Sequence, residues 1–436
     1  MTDEYAVEPC QTISGTIRPP GSKSLTNRAL VIAALATGRS EIVGALRSDD
    51  TDHMVRGLTA LGVRVDQTDD PPAFAVEGCG GRIPARSADL FLGNSGTSMR
   101  FLCAAAAVGH GRYRLDGAPR MRERPIADLV DALNALGAGV ICELNNGCPP
   151  VVVEARGLAH GAVRVAGSVS SQFLSGLLMA SACAAGPVTV EVTGDLVSRP
   201  YIDMTIGVMR AFGGRVDRPG PGRFVVDPAA RYEGQRYVVE PDASNASYFL
   251  AAAAITGGRC RVEGVGVESV QGDARFADVL AAMGARVTRG RDWTEVAGAD
   301  LTGVDVDLNA MPDMVLTLAA VAPFAEGPTT IRNVANLRVK ETDRLAALAA
   351  ELRRIGQGVE ERDDGLTITP APVQPARVQT YDDHRMAMSF ALVGLRAPGI
   401  VILDPGCVAK TFPGFFASLR GLYAGGGVGA KDETHT

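Results

Sequence analysis

The chain has 436 residues, 46% of them apolar and 21% charged, with a formal net charge of −6. That length exceeds one ordinary core and sets an expectation of two domains of roughly 200 residues each, and the balance of residue types excludes disordered and fibrous classes. An acidic chain does not hold nucleic acid by bulk basicity, and eight cysteines without a C-x-x-C pair, with five scattered histidines, offer neither a zinc site nor a disulfide framework.

The opening MTDEYAVEPC has neither the basic nor the apolar stretch of a secretory signal. Apolar runs such as MVLTLAAVAPFA (314–325) fall short of a membrane span of about 20 residues. A soluble, cytoplasmic protein with reduced thiols is expected.

Taken in chain order, the predicted elements repeat six times. An apolar run leads into a polar turn and then a helical pattern, with turns beginning near Gly21, Asn94, Gly167, Pro241, Met311 and Tyr381, 70 to 74 residues apart. A second series of turns, at Gly44, Gly117, Gly194, Gly264, Asn333 and Pro405, runs in parallel. Five of its helices finish on one phrase: LTALGVRV, LNALGAGV, MRAFGGRV, LAAMGARV and LRRIGQGV. Each phrase combines late-helix apolar spacing, a glycine suited to a positive-φ cap and a strand start. The sixth copy, near Leu419, is degraded. Each unit reads strand, helix, strand, helix and two strands, an α/β pattern with three units per domain and a boundary near 238–242. A continuous six-unit array is the alternative architecture. The Gly-rich end, 424–436, is expected to fray.

The polar turns carry the candidate chemistry. PPGSKSLTNRAL brings Lys23, Ser24 and Arg28 to one helix start, without the spacing of a Walker A loop. LFLGNSGTSMR offers Asn94, Gly96 and Arg100, and PRMRERPI crowds Arg120, Arg122 and Arg124. GSVSSQF supplies Ser170, Ser171 and Gln172, more hydroxyls than capping needs, and VSRPYID adds Ser198 and Tyr201. In the second half stand Asp313, Asn336, Lys340, Glu341, Arg344, Asp383, His384, Arg385 and Lys410. Each turn alone is explained by a cap, a solvated loop or a local ion pair. Together they place cations at helix N-termini, against the preference of the macrodipole for acidic groups there. Such cations cost stability unless an anion bridges them, which points to a polyanion site built from both halves.

Eight motifs in order over residues 12–420 (PGSKSLTNRAL, GNSGTSMR, PRMRERPI, GSVSSQF, VSRPYID, NLRVKETDRL, DDHRMAM and AKTFPGF) closely resemble the 5-enolpyruvylshikimate-3-phosphate synthase family. The resemblance implies an inside-out α/β barrel fold of two domains, each of three βαβαββ units, with the N-terminal strand crossing to the second domain. The division becomes 21–239 for the first domain, 1–20 with 240–423 for the second, and 424–436 as a flexible tail. It implies transfer of the enolpyruvyl group of phosphoenolpyruvate to the 5-hydroxyl of shikimate 3-phosphate, through a tetrahedral intermediate that loses phosphate. Shikimate 3-phosphate is assigned to Lys23, Ser24, Arg28, Ser170, Ser171, Gln172, Ser198, Tyr201, Asp313, Asn336 and Lys340. Phosphoenolpyruvate is assigned to Lys23, Asn94, Gly96, Arg124, Gln172, Arg344, His384, Arg385 and Lys410. Asp313 is the implied general base, Glu341 the carrier of the methylene proton, and Lys23 a residue touching both substrates.

These roles suit the chemistry, since two polyanions need guanidinium forks and ammonium groups rather than a metal. No cofactor, nucleic acid or membrane partner is expected, and the protein is expected to act as a monomer. Ser95, Phe101 and Arg199 stand where relatives commonly have alanine, proline and lysine. Two alternatives are a UDP-N-acetylglucosamine enolpyruvyl transferase, whose mobile-loop cysteine has no counterpart in DGAPRMRE, and a non-catalytic anion-binding protein on the same fold. Retention of Gly96 implies competitive inhibition by glyphosate.

Overall fold

A computed structural model describes residues 3–424. The expected fraying tail therefore lies outside the described residues from residue 425 onward. The α-helices are α1 (Lys23–Leu35), α2 (Asp49–Ala60), α3 (Gly96–Ala107), α4 (Ala127–Ala135), α5 (Ser171–Ser181), α6 (Arg199–Ala211), α7 (Ala243–Thr256), α8 (Phe276–Ala282), α9 (Val315–Val321), α10 (Arg344–Arg354), α11 (His384–Arg396) and α12 (Phe415–Ala424).

The repeat unit is plainest around α3 and α4. Strand Ser87–Phe91 leads through α3 to the parallel strand His110–Asp116. After α4, strands Gly139–Cys142 and Val151–Arg156 form a hairpin, and the second of them pairs antiparallel with His110–Asp116. The same order recurs in the sheets built from 161–227 and 305–369. The five glycines that close the repeated phrase, at 62, 137, 213, 284 and 356, have φ between 84° and 113°. A side chain there would be strained, which is why the phrase keeps glycine at each helix end.

The remaining sheets are completed by strands from distant parts of the chain. Arg236–Val238 lies parallel to Thr37–Val43 and supplies the leading strand of the first unit. Ser14–Ile17 does the same for the fourth unit, parallel to Arg259–Glu263. In the sixth unit, Glu4–Ala6 pairs antiparallel with Ile400–Leu403. The N-terminal strand thus covers the edge that a hairpin covers elsewhere, so the sixth copy has no need of its own closing phrase.

Buried apolar side chains form two clusters, one running from Leu25 to Val239 and the other joining Val7 and Ile13 to residues from Ala243 to Leu422. The chain passes between them twice, side by side, with Ser22 donating to the carbonyl of Glu240 and Asp242 to that of Pro20, both at 2.8 Å. Helices α3 and α7 are buried along their whole length, so each cluster is organised around apolar central helices (α1, α3 and α5; α7, α9 and α11) with amphipathic helices and sheets outside. Among the described residues no helix is long and apolar enough to cross a membrane.

Candidate active site

Central and outer helices alike begin at the interface between the two clusters. Ser22, Ser95, Ser170, Asp242 and Asp383 cap α1, α3, α5, α7 and α11 by accepting first-turn N–H groups. Helices α1, α3, α5, α6, α9, α10 and α11 have no acidic residue in the first turn. Their N–H groups and positive ends face a cleft lined by Lys23, Ser24, Arg28, Gly96, Arg124, Ser171, Gln172, Ser198, Tyr201, Asp313, Lys340, Glu341, Arg344 and Arg385.

The first-half wall holds its cations without carboxylates. Arg28 is 2% exposed and donates to Thr205 Oγ1 (2.7 Å), the carbonyls of Ser24 (2.9 Å) and Tyr201 (3.3 Å), and Ser175 Oγ (3.3 Å). Its guanidinium lies 5.2 Å from the Phe101 ring centroid and 5.9 Å from that of Tyr201. Burial brings it down to about 10, so it remains charged at neutral pH. Arg124 donates to Asn94 O at 3.0 Å and Asn94 Oδ1 at 3.1 Å, and its Nε is buried without a partner. A Cβ added to Gly96 would lie 2.4 Å from Arg124 Nη2, so a glycine is required for this approach. Gln172 reaches Thr97 Oγ1 at 3.3 Å. Ser198 has a left-handed backbone (φ 54°), makes no side-chain cap, and donates its N–H to Asn309 O across the cleft.

The second-half wall is an ion-pair network. Arg344, 1% exposed, holds Asp383 at 2.7 Å, Glu341 at 2.9 Å and Asp313 at 3.0 Å. Arg385 holds the other oxygen of Asp313 at 2.9 Å, and Lys340 Nζ lies 3.8 Å from that carboxylate. Lys410 bonds Glu341 at 3.3 Å and reaches across to Asn94 O at 3.0 Å. Burial pushes Asp313 upward, but Arg385, Lys340 and Arg344 outweigh it and hold the carboxyl far below the usual carboxylate range. Glu341 is likewise held down against burial by Arg344, Lys410, Arg124 and Lys23. Burial lowers Lys340, with Asp313 opposing.

Five expected residues stand off the main cleft. Asn94 and Lys410 line an adjoining cavity with Asp50, His53 and Asp382. Ser170 is occupied as the cap of α5, and Asn336 is buried in the turn Ala335–Val339. His384 is not among the cleft-lining residues: it is fully buried and neither ring nitrogen makes a hydrogen bond, Nδ1 lying 3.6 Å from Asp383 Oδ1, while burial and the neighbouring cations hold it neutral. Conversely, Asp50, Thr97 and Pro312 line the cleft without having been singled out. Asp50 accepts Asn27 Nδ2 at 2.9 Å, but in sequence it is one of three acids in the capped first turn of α2, which needs no further explanation. Thr97 adjoins Gly96, and that adjacency was its one visible signal. Among the described residues no group of three His, Cys, Asp or Glu side chains is arranged to hold a metal ion.

Closely spaced cations from both walls, helix N-termini at one cleft, the buried carboxylate of Glu341 and the partly buried one of Asp313 suit the handling of small phosphorylated acids with proton transfer. The fold is that of the enolpyruvyl transferases. It matches the enolpyruvyl transferase NikO of Streptomyces tendae with a TM-score of 0.78 over 96% of this chain and 97% of that one, at 20% identity. It matches the EPSP synthase of Acinetobacter baumannii with a TM-score of 0.80 over 96% and 98% of the two chains, at 26% identity.

The particular family follows from the sequence. Residues 7–419 match the profile of EPSP synthase (3-phosphoshikimate 1-carboxyvinyltransferase), and the chain belongs to this family. Similar curated proteins are the 3-phosphoshikimate 1-carboxyvinyltransferases of Shewanella amazonensis, 50% identical over 96% of this chain and 99% of that protein, and of Laribacter hongkongensis, 50% identical over 95% and 98%. The activity is therefore that of a shikimate-pathway transferase of aromatic amino-acid biosynthesis, and both alternatives weighed from the sequence are set aside.

Proposed function

We propose that the first-half wall seats shikimate 3-phosphate and that the second-half network, with Arg124, seats phosphoenolpyruvate. The observation that carries this reading is the meeting of Lys23, Arg28 and Arg124 with Lys340, Arg344 and Arg385 around one cleft. Lys23, Ser24, Arg28, Ser170, Ser171, Gln172, Ser198, Tyr201, Asn336 and Lys340 hold the acceptor. Gly96, Arg124, Gln172, Arg344, Arg385 and Lys410 hold the donor, and Asn94 supports Arg124 and Lys410.

The cleft is closed on its own ion pairs, so loading separates the two halves and makes Asp313 and Glu341 yield their cations. That exchange has a chemical consequence. Arg344 and Arg385 turn to the phosphate and carboxylate of the donor, and Asp313, relieved of them, regains the basicity to accept the 5-hydroxyl proton. Glu341, relieved of Arg344 in the same exchange, passes the proton to and from the methylene carbon. Cations on the leaving phosphate stabilise the collapse of the tetrahedral intermediate. Closure supplies proximity and removes water.

The division at 21–239 and 1–20 with 240–423 rests on the two apolar clusters and the paired crossings at Ser22 and Asp242. A monomeric, cytoplasmic enzyme fits one cleft assembled wholly within one chain. Phosphate release from purified protein given both substrates, with each omitted in turn, tests the reading, and release without shikimate 3-phosphate would defeat it. Glyphosate is expected to compete with phosphoenolpyruvate, and normal turnover at millimolar glyphosate would contradict that.

A further inference from the structure

On the acceptor side of the cleft, the turn Gln271–Asp273 of the second half docks against Ser198–Tyr201 of the first. A Cβ on Gly272 would lie 2.4 Å from Pro200 Cβ, so only a bare backbone fits there. The turn is fastened to the interdomain crossing: Gln271 Nε2 donates to Pro241 O at 2.7 Å and Glu240 Oε2 at 3.1 Å, and its Oε1 accepts Ala243 N at 3.1 Å. Asp273 follows, 3% exposed. Its Oδ2 accepts Tyr201 Oη across the cleft at 2.9 Å and Ser244 Oγ from its own half at 2.5 Å.

Its own half gives this carboxylate one hydrogen bond, from Ser244, and no ion pair. Among the described residues Asp273 makes no salt bridge, its Oδ1 is buried without a partner, and burial together with nearby Asp313 raises it to about 6. A buried, unpaired carboxylate is destabilising, and its one contact beyond its own half is the hydroxyl of a cleft residue. Tyr201 in turn bears on the acceptor seat, because its carbonyl takes Arg28 Nη2 at 3.3 Å and its ring faces that guanidinium.

We propose that Asp273 is a positioning residue of the acceptor subsite, which takes the Tyr201 hydroxyl only when the halves close and thereby fixes the phenol ring against Arg28 and shikimate 3-phosphate. The clasp lies apart from the donor-side contact of Lys410 with Asn94 and from that of Arg120 with the carbonyls of Arg338 and Lys340, which are on other segments. This rests on the assignment of Tyr201 to the acceptor.

The test uses the full-length enzyme with Asp273→Ala, Asp273→Asn, Tyr201→Phe and the Asp273→Ala/Tyr201→Phe double variant, each checked by circular dichroism. KM for each substrate is measured separately. Asp273→Ala and Tyr201→Phe are each expected to raise KM for shikimate 3-phosphate about tenfold, the scale of one charge-assisted hydrogen bond, with little change for phosphoenolpyruvate. The double variant should be no worse than either single one, and Asp273→Asn, which keeps an acceptor for the hydroxyl, should stay within about threefold of wild type. Multiplication of the two effects to about a hundredfold, equal effects on both KM values, or an Asn variant no better than Ala overturns the proposal. Should Asp273→Ala fail to fold, Asp273→Ser, too short to reach the hydroxyl, takes its place in the cycle. A wild type that releases no phosphate from the two substrates overturns the underlying reading instead.

Discussion

The two walls of the cleft solve the same electrostatic problem in opposite ways. On the first-half wall, Arg28 and Arg124 are buried with carbonyls, hydroxyls and an amide as partners and no carboxylate within ion-pair distance. On the second-half wall, Arg344 and Arg385 are saturated by Asp313, Glu341 and Asp383. Neutral partners hold a cation in place while leaving its charge for an incoming anion. Carboxylate partners cancel the charge and must be displaced, which ties donor binding to a change in the catalytic acids. One wall is a fixed seat and the other a switchable one.

The largest effect that would break this comparison comes from Asp313→Ala. Turnover should fall about a thousandfold, the scale of a lost general base, while titration calorimetry still registers shikimate 3-phosphate binding. Turnover that survives nearly intact removes Asp313 from the chemistry. Next come the paired arginines. Arg28→Ala should raise KM for shikimate 3-phosphate about a hundredfold, because several charge-assisted bonds go with it. Arg344→Ala should instead destabilise the fold by about 3–5 kcal/mol, leaving Asp383 buried and unpaired. Thermal melts showing equal losses for the two would erase the distinction between the walls.

Gly96→Ala sharpens the comparison on a smaller scale. Its Cβ would meet Arg124 Nη2, so KM for phosphoenolpyruvate should rise about tenfold with that for shikimate 3-phosphate unchanged. The smallest effects concern pH. Asp313 is depressed in the folded state, so its stabilisation is present above its ordinary value of 3.8 and is lost as pH falls below it. Asp273 is raised to about 6, so its protonated form is the stable one and stability is lost as pH rises through 6. Melts of Asp313→Asn should therefore show a deficit that shrinks in acid. Those of Asp273→Asn should show a gain at pH 8 that narrows as pH falls through about 6. The same trend for both would contradict the assigned environments.

The switchable wall was harder to read in the sequence than the fixed one. Lys23, Ser24 and Arg28 sit within one motif, and local spacing alone brings them together. Arg344, by contrast, gathers Asp313 and Asp383 from 31 and 39 residues away in either direction, and nothing local announces that meeting. His384 shows a different limit, since its motif neighbour Arg385 lines the cleft while the histidine beside it is fully buried. Adjacent helical residues point about 100° apart, so sharing a motif does not mean sharing a surface.

By itself the sequence determined the unit and its rhythm, because apolar period, capping residues and the glycine at each helix end are local constraints that each segment must satisfy alone. It also determined the chemical character of the turns, since cations gathered at helix N-termini are unfavourable without an anion. Only the tertiary structure decided which strand closes which sheet, which carboxylate each arginine holds, and that Asp273 meets Tyr201. Those pairings depend on distances between segments far apart in the chain, and such distances are set by packing rather than by any local pattern.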